Sequence, residues 1–216
     1  MEESNVEHLG SSLTDLMTSL LVIFILLLLV FVQRRASRDG AVTDALLKQL
    51  RADMKPQGFS DSTIRPDPRD RNGILVIVPD RLMNFETGKS TLRPEGEFFL
   101  KTYIPQFAGI LCGGQFRPSI ESIVVEGHTD SFPWGGSSPE DSENLNLKLS
   151  QDRSMEVVKN SLSALSGKTE RGCFLEKLSA TGRGEQEQEG TPEESRRVIF
   201  KIRVKVVDEL AKVLRK

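Results

Sequence analysis

The 216-residue chain contains no Gly-x-Ser-x-Gly, no His-Glu-x-x-His and no phosphate-binding loop. Nucleophile elbows, zinc-hydrolase helices and nucleotide cradles are thereby missing, and the chain is not expected to be an enzyme. It also lacks an excess of charge: 29 Lys and Arg stand against 31 Asp and Glu, for a net charge of -2. A nucleic-acid partner needs a cationic footprint, so none is expected. No internal repeat or low-complexity tract occurs, and cysteine is limited to Cys112 and Cys173. The most informative absence is local. No charged residue lies between Asp15 and Arg34, and residues 20–32 are an unbroken apolar run.

Residues 13–32 number twenty. At about 1.5 Å per residue they match a hydrocarbon core of roughly 30 Å, which predicts one transmembrane helix over 13–33. A cleaved signal peptide would need a basic leader, a shorter apolar stretch and a small-residue cleavage site. Here the leader, residues 1–12, carries Glu2, Glu3 and Glu7, and Gln33-Arg34-Arg35 follows the span. The segment is therefore expected to be an uncleaved anchor. Orientation is contested within the sequence. Arg34, Arg35 and Arg38 flank the C-terminal end, which by the positive-inside rule would hold that end in the cytoplasm.

Residues 34–72 read as a polar linker. Ala41, Ala45, Leu46, Leu50 and Met54 predict a short amphipathic helix over 42–54, either a surface helix or a dimerising one. Pro56, Gly58, Pro66 and Pro68 then predict irregular structure. A globular region is expected over 73–207, with a tail at 208–216. Runs at 74–78 and 120–125 read as buried strands, 175–180 as a short strand and 198–207 as a longer alternating one. Residues 94–111 and 147–165 read as helices, and 130–143 as a loop. Strands alternating with helices predict an α/β (α+β sandwich) domain behind a single N-terminal transmembrane helix.

The order of motifs in that region resembles the OmpA-like peptidoglycan-binding domain. The residues concerned are Asn84-Phe85-Glu86-Thr87-Gly88, Leu92-Arg93-Pro94-Glu95-Gly96 and Gly127-His128-Thr129-Asp130. They continue with Asn146-Leu147-Lys148-Leu149-Ser150-Gln151-Asp152-Arg153, Thr181-Gly182-Arg183-Gly184-Glu185 and Arg196-Arg197-Val198. The resemblance implies that Asp130 and Arg153 bind the peptidoglycan stem peptide, with Thr129, Asn146, Leu149 and Arg197 around them. The chemistry agrees. Diaminopimelate ends in an ammonium and a carboxylate, which need a fixed anion and a fork of N–H donors. The alternative is a structural Asp–Arg pair at a strand–helix junction. Two departures from the family are a longer segment between Asp130 and Asn146 and Ser195 in place of Asn. Glu126, His128 and Asp130 alternate and could face a metal, but one His with two carboxylates favours no metal and a hydrogen-bonded His128.

Asp15 heads the apolar run in Asp15-Leu16-Met17-Thr18. An acid at that place needs a task or a partner, unless it is only a first-turn residue capped by Ser11, Ser12 or Thr14. Asp-Leu-Met-Thr before an apolar helix resembles the ion-carrying helix of bacterial motor stator B subunits, such as flagellar MotB and the ZorB proteins of Zorya anti-phage systems. The resemblance implies a homodimer inside a ring of multispan A-type stator subunits in the inner membrane. It also implies a proton or sodium ion carried by Asp15, no other cofactor, and a periplasmic domain gripping peptidoglycan. The short acidic leader points to the Zorya kind over the flagellar one; a passive wall tether is the rival from another class. The domain resemblance outweighs the arginine flank, because the charge rule is a bias. If strands 120–125 and 175–180 are parallel, Cys112 and Cys173 lie at one end of the sheet and can form a disulfide. The alternative is two unpaired thiols.

Overall fold

The apolar run is helical. In the computed structural model, which describes residues 3–86 and 88–205 (side chains of 3–14 and 33–39 excepted), α1 spans Glu3–Met54. The chain divides into two compact units, Met1–Ala41 and Val42–Lys216. In the first, the stretch Asp15–Val32 has a mean hydropathy of 2.8 and none of it is buried. Among the described residues it is the one stretch long and apolar enough to cross a membrane. A helix that is apolar on every side and has no protein cover can leave water only in lipid or against other apolar helices. Asp15 lies twelve residues beyond the first residue of α1, more than three turns in, so its backbone is not in a first turn. The side chains of the leader, of Ser11, Ser12 and Thr14 and of the arginine flank lie outside the described residues, as does the tail at 208–216.

The second unit is built on a five-stranded sheet of order β1-β2-β5-β3-β4. In chain order, β1 (Ile64–Asp67) and β2 (Asp70–Pro79) form an antiparallel hairpin, followed by α2 (Asp80–Met83) and α3 (Pro94–Cys112). Then come β3 (Ile120–His128), α4 (Pro139–Ala164), α5 (Arg171–Lys177), β4 (Leu178–Gly182), α6 (Pro192–Ser195) and β5 (Arg197–Val204). Only β3 and β4 pair in parallel, and α4 lies on the crossover between them. In central β5, Val198, Phe200, Ile202 and Val204 are buried on one face. On the other, Arg197 and Ile199 are buried as well, while Lys201 and Arg203 pair with Asp67 (2.8 Å) and Asp70 (3.2 Å). α3 covers the apolar face with Leu100, Tyr103, Ile104, Phe107 and Leu111, and the rings of Tyr103 and Phe107 lie 5.8 and 5.3 Å from Phe200. α4 approaches so closely that a Cβ on Gly127 would stand 2.2 Å from Ser150 O. Glycine there lets α4 lie directly on β3.

Several sequence expectations need correction. The compact unit begins at Val42, not at residue 73. Leu46, Leu50 and Met54 are fully buried in the same core as Tyr103 and Phe107, so 42–54 is a core helix rather than part of a linker. Arg51 Nε donates to Ile64 O at 2.9 Å, tying this helix to β1. Pro66 lies within edge strand β1 and Pro68 in the turn that follows it; an edge position tolerates Pro66, which has no N–H to offer. α4 starts at Pro139, eight residues before the expected helix, with Ser138 accepting from the Asp141 N–H as N-cap. Residues 175–177 belong to α5, and the strand begins at Leu178. β5 ends at Val204; residues 206–207 lie outside the described residues.

Cys112 at the end of α3 and Cys173 in α5 form a disulfide, with Cα atoms 5.8 Å apart and 61 residues of separation. Closing such a loop contributes about 4 kcal/mol in the chain-entropy model. Protein taken from membranes with thiols alkylated at once should therefore carry no adduct at either cysteine by mass spectrometry. Two adducts should appear only after reduction under denaturing conditions. Both cysteines modified without reductant would remove the bond and the redox argument for a periplasmic domain.

Candidate functional site

β3 ends at His128, and the Thr129 N–H then donates to Gly184 O at 2.9 Å, turning the chain outward. This places Asp130 at the edge of a cavity of about 510 Å3. Asp130 Oδ2 accepts from Arg196 Nη1 at 2.6 Å, and its Oδ1 accepts from the Phe132 N–H at 3.2 Å. Arg196, between α6 and β5, lies also 3.6 Å from Asp80 Oδ2 and 3.2 Å from Glu193 Oε1. Asp80 opens α2 directly after β2, so Asp80, Asp130 and the Arg196 guanidinium, with Glu193 beside it, meet across three chain segments.

The second guanidinium comes from α4. Arg153 is 5% exposed; its Nε donates to Lys89 O at 3.0 Å and its Cζ lies 4.9 Å from the Phe85 ring centroid. The stacking and the single backbone bond hold the plane of the guanidinium. Its two Nη groups have no hydrogen-bond partner among the described residues, and Arg153 lines the cavity with Asp130. Burial pushes the Asp80 carboxyl above its ordinary range, against the pull of the Arg153 and Arg196 charges. Burial likewise lowers Arg153, with Asp80 acting against it, whereas Arg196 is raised, first by its hydrogen bond to Asp130. Arg153 is thus a buried cation with two unpaired Nη groups, and a carboxylate ligand would complete it. Each aspartate keeps acceptor capacity beyond Arg196, so an ammonium can join them.

The wall is completed from the loop and α4. Asn146 Oδ1 accepts from Trp134 Nε1 at 2.8 Å, and its Nδ2 donates to Glu185 Oε2 at 3.1 Å. Thr129, Asp130, Asn146, Leu149 and Arg153 all line the one cavity. Arg197 does not. It is buried, donating to Glu187 O (2.9 Å) and Ser195 O (3.2 Å), and its neighbour Arg196 faces the cavity instead. Adjacent residues at a strand start point to opposite faces, which is why a one-residue choice reverses the role. Ser195, at the family's Asn position, donates to Thr191 O at 2.9 Å and accepts from the Glu189 N–H at 3.0 Å, and so holds α6.

Asp80, Phe85, Phe132, Trp134 and Arg196 also line the cavity, and sequence reasoning does not single them out as site residues. Asp80 has a signal of its own, an acid placed directly after a buried β run. Glu126, His128 and Asp130 do not converge: His128 Nδ1 lies 3.3 Å from Gln186 O and its Nε2 3.9 Å from Glu126, while Asp130 turns to Arg196. A larger hollow of about 850 Å3 between the end of α1 and α3 is lined by Gln49, Gln57, Gln106 and Gln115, with Asp53 as its one charged residue. It has no opposed charges to orient a zwitterion.

No protein-family model matches the chain. Zorya protein ZorB of Escherichia coli is 22% identical to it over 205 residues, 88% of this chain and 86% of that protein. The chain is similar to ZorB over most of its length. Its likeness to ZorB exceeds the folded unit and runs into the unit of the apolar helix. A putative MotB-like protein from Desulfovibrio vulgaris shares the fold, with a TM-score of 0.57 and 21% identity, covering 78% of this chain and 98% of that one. The periplasmic domain of Helicobacter pylori MotB aligns with a TM-score of 0.48 and 16% identity, covering 70% of this chain and 94% of that one.

Proposed function

We propose that this chain is the peptidoglycan-anchored B subunit of an ion-driven motor in the bacterial inner membrane, of the Zorya anti-phage kind. The observation that carries the reading is the open Arg153 fork beside Asp130 and Asp80 in one cavity. Arg153 takes the far carboxylate of diaminopimelate, and Asp130, aided by Asp80, takes its ammonium. The likeness to ZorB supports the motor assignment, and the Cys112–Cys173 disulfide supports a periplasmic domain, since such bonds persist in oxidising compartments.

In this reading Asp15 takes up a proton or sodium ion from the periplasmic side and releases it toward the cytoplasm. Two copies of the chain stand inside a ring of multispan partners. Each change of charge on Asp15 alters its preference for the surrounding helices and steps the ring. One charge moved through 100 mV is worth about 2.3 kcal/mol, enough to bias a step. The wall-bound domain keeps the pair from turning with its ring.

Purified sacculi test the anchor. The full chain in detergent should pellet with sacculi whose stems carry diaminopimelate and stay in solution with sacculi whose stems carry lysine. Lysine lacks the second carboxylate, and Arg153 would remain unpaired. Equal retention on both, or on neither, would overturn the assignment of the pocket.

A further inference from the structure

At the mouth of the same cavity the loop after Asp130 sets two aromatic rings, and we propose that they form a platform for a sugar ring of the glycan strand. The site then reads disaccharide and peptide together. This rests on the peptidoglycan reading above and extends it from the stem peptide to the saccharide.

Trp134 is fixed at two points. Its main-chain N–H donates to Ser142 Oγ at 2.9 Å, and its indole Nε1–H donates to Asn146 Oδ1 at 2.8 Å. The ring passes over Gly88, where an added Cβ would lie 3.8 Å from Cη2. Trp134 has thus used its only side-chain donor on the protein, and what it can offer a ligand is its face. Phe132 is 71% exposed yet lines the cavity, and no ring contact or core cluster includes it. Its main-chain N–H is tied to Asp130 Oδ1, so the ring sits beside the carboxylate that receives the ammonium.

The buried Arg153 with its aspartates on one side and the exposed Phe132 with the half-buried Trp134 on the other divide the cavity by chemistry. The zwitterionic end of the stem is matched by Arg153, Asp80 and Asp130, none of which needs an aromatic neighbour at the mouth. A pyranose ring presents flat faces of C–H bonds, which suit the faces of Phe132 and Trp134. At about 510 Å3 the cavity also has room for more than one amino-acid side chain. The two anchors on Trp134 pre-organise the platform, so little ordering is left for binding.

Two soluble ligands test this with the full chain in detergent micelles: a stem tripeptide ending in diaminopimelate, and the same peptide on N-acetylglucosaminyl-N-acetylmuramic acid. Calorimetry should give an affinity at least about fivefold higher for the disaccharide-peptide, the contribution of one buried aromatic contact. Trp134 is the single tryptophan, so its emission should shift with the disaccharide-peptide and not with the peptide alone. In Phe132→Ala the ratio of the two affinities should fall to about one, and Phe132→Tyr should restore it. Equal affinities for the unaltered chain, or a ratio that survives Phe132→Ala, would overturn the platform and leave the peptide site standing. If neither ligand binds the unaltered chain, the peptidoglycan reading fails and the platform fails with it.

Discussion

Asp15→Asn is expected to leave bacteria that carry the complete system as open to phage as bacteria that lack it. Asn matches Asp in size and can still hydrogen-bond, but it cannot take up and release an ion at this site. Asp15 sits at the head of an 18-residue apolar stretch, and α1 continues for more than three turns before it. It is therefore not a first-turn acid held by the helix dipole. An ionisable side chain at the edge of hydrocarbon carries a cost that a task or a partner must offset. Efficiency of plating measures the outcome, with membrane abundance by immunoblot and retention on sacculi as controls that should not change. Protection equal to that of the unaltered chain would sink the motor and leave a passive tether.

Arg153→Ala should abolish retention on sacculi carrying diaminopimelate. Truncating one partner of a buried, hydrogen-bonded charge pair typically costs about 2–5 kcal/mol, a loss of some thirtyfold or more. Arg153→Lys should recover only part of it, since a point charge replaces the two parallel donors that a carboxylate needs. The guanidinium also donates to Lys89 O and packs on Phe85, so circular dichroism and a thermal melt must accompany the binding measurement. A folded Arg153→Ala chain that still pellets with sacculi would mean that Arg153 serves only the fold. That would return the site to a structural ion-pair network.

Features that depend on neighbours along the chain are legible in the amino-acid sequence. The β-branched runs at 74–78 and 120–125 and the Pro94-headed helix are local patterns, and each forms an element within a few residues of its expected place. The apolar run is helical as expected, but its helix extends well past 13–33 on both sides, over Glu3–Met54, and joins the helix expected at 42–54. The start of α4 is legible too: Ser138-Pro139-Glu140-Asp141 is an N-cap, a first-turn proline and two first-turn acids, although the loop-like composition around it hides the signal. Motif order brings Thr129, Asp130, Asn146, Leu149 and Arg153 to one cavity, since strand ends and helix turns place residues by spacing.

Only the tertiary structure decides which faces meet. The helical period in α4 suggests a face through Leu149, Met155 and Val158, yet its buried residues include Ser150, Ser154, Val157 and Ser161, and Met155 is 42% exposed. At Ser150 a small side chain is buried because α4 lies there against Gly127 and Gly182, a contact that no hydrophobic period announces. In the same way, the period of residues 42–54 marks an amphipathic helix but not its partner, the core around Tyr103 and Phe107. Arg196 and Arg197 are told apart only by where β5 starts. Periodicity is a property of neighbouring residues and is written in the chain. The identity of the covering surface depends on contacts between residues far apart in sequence, and these form only when the chain closes on itself.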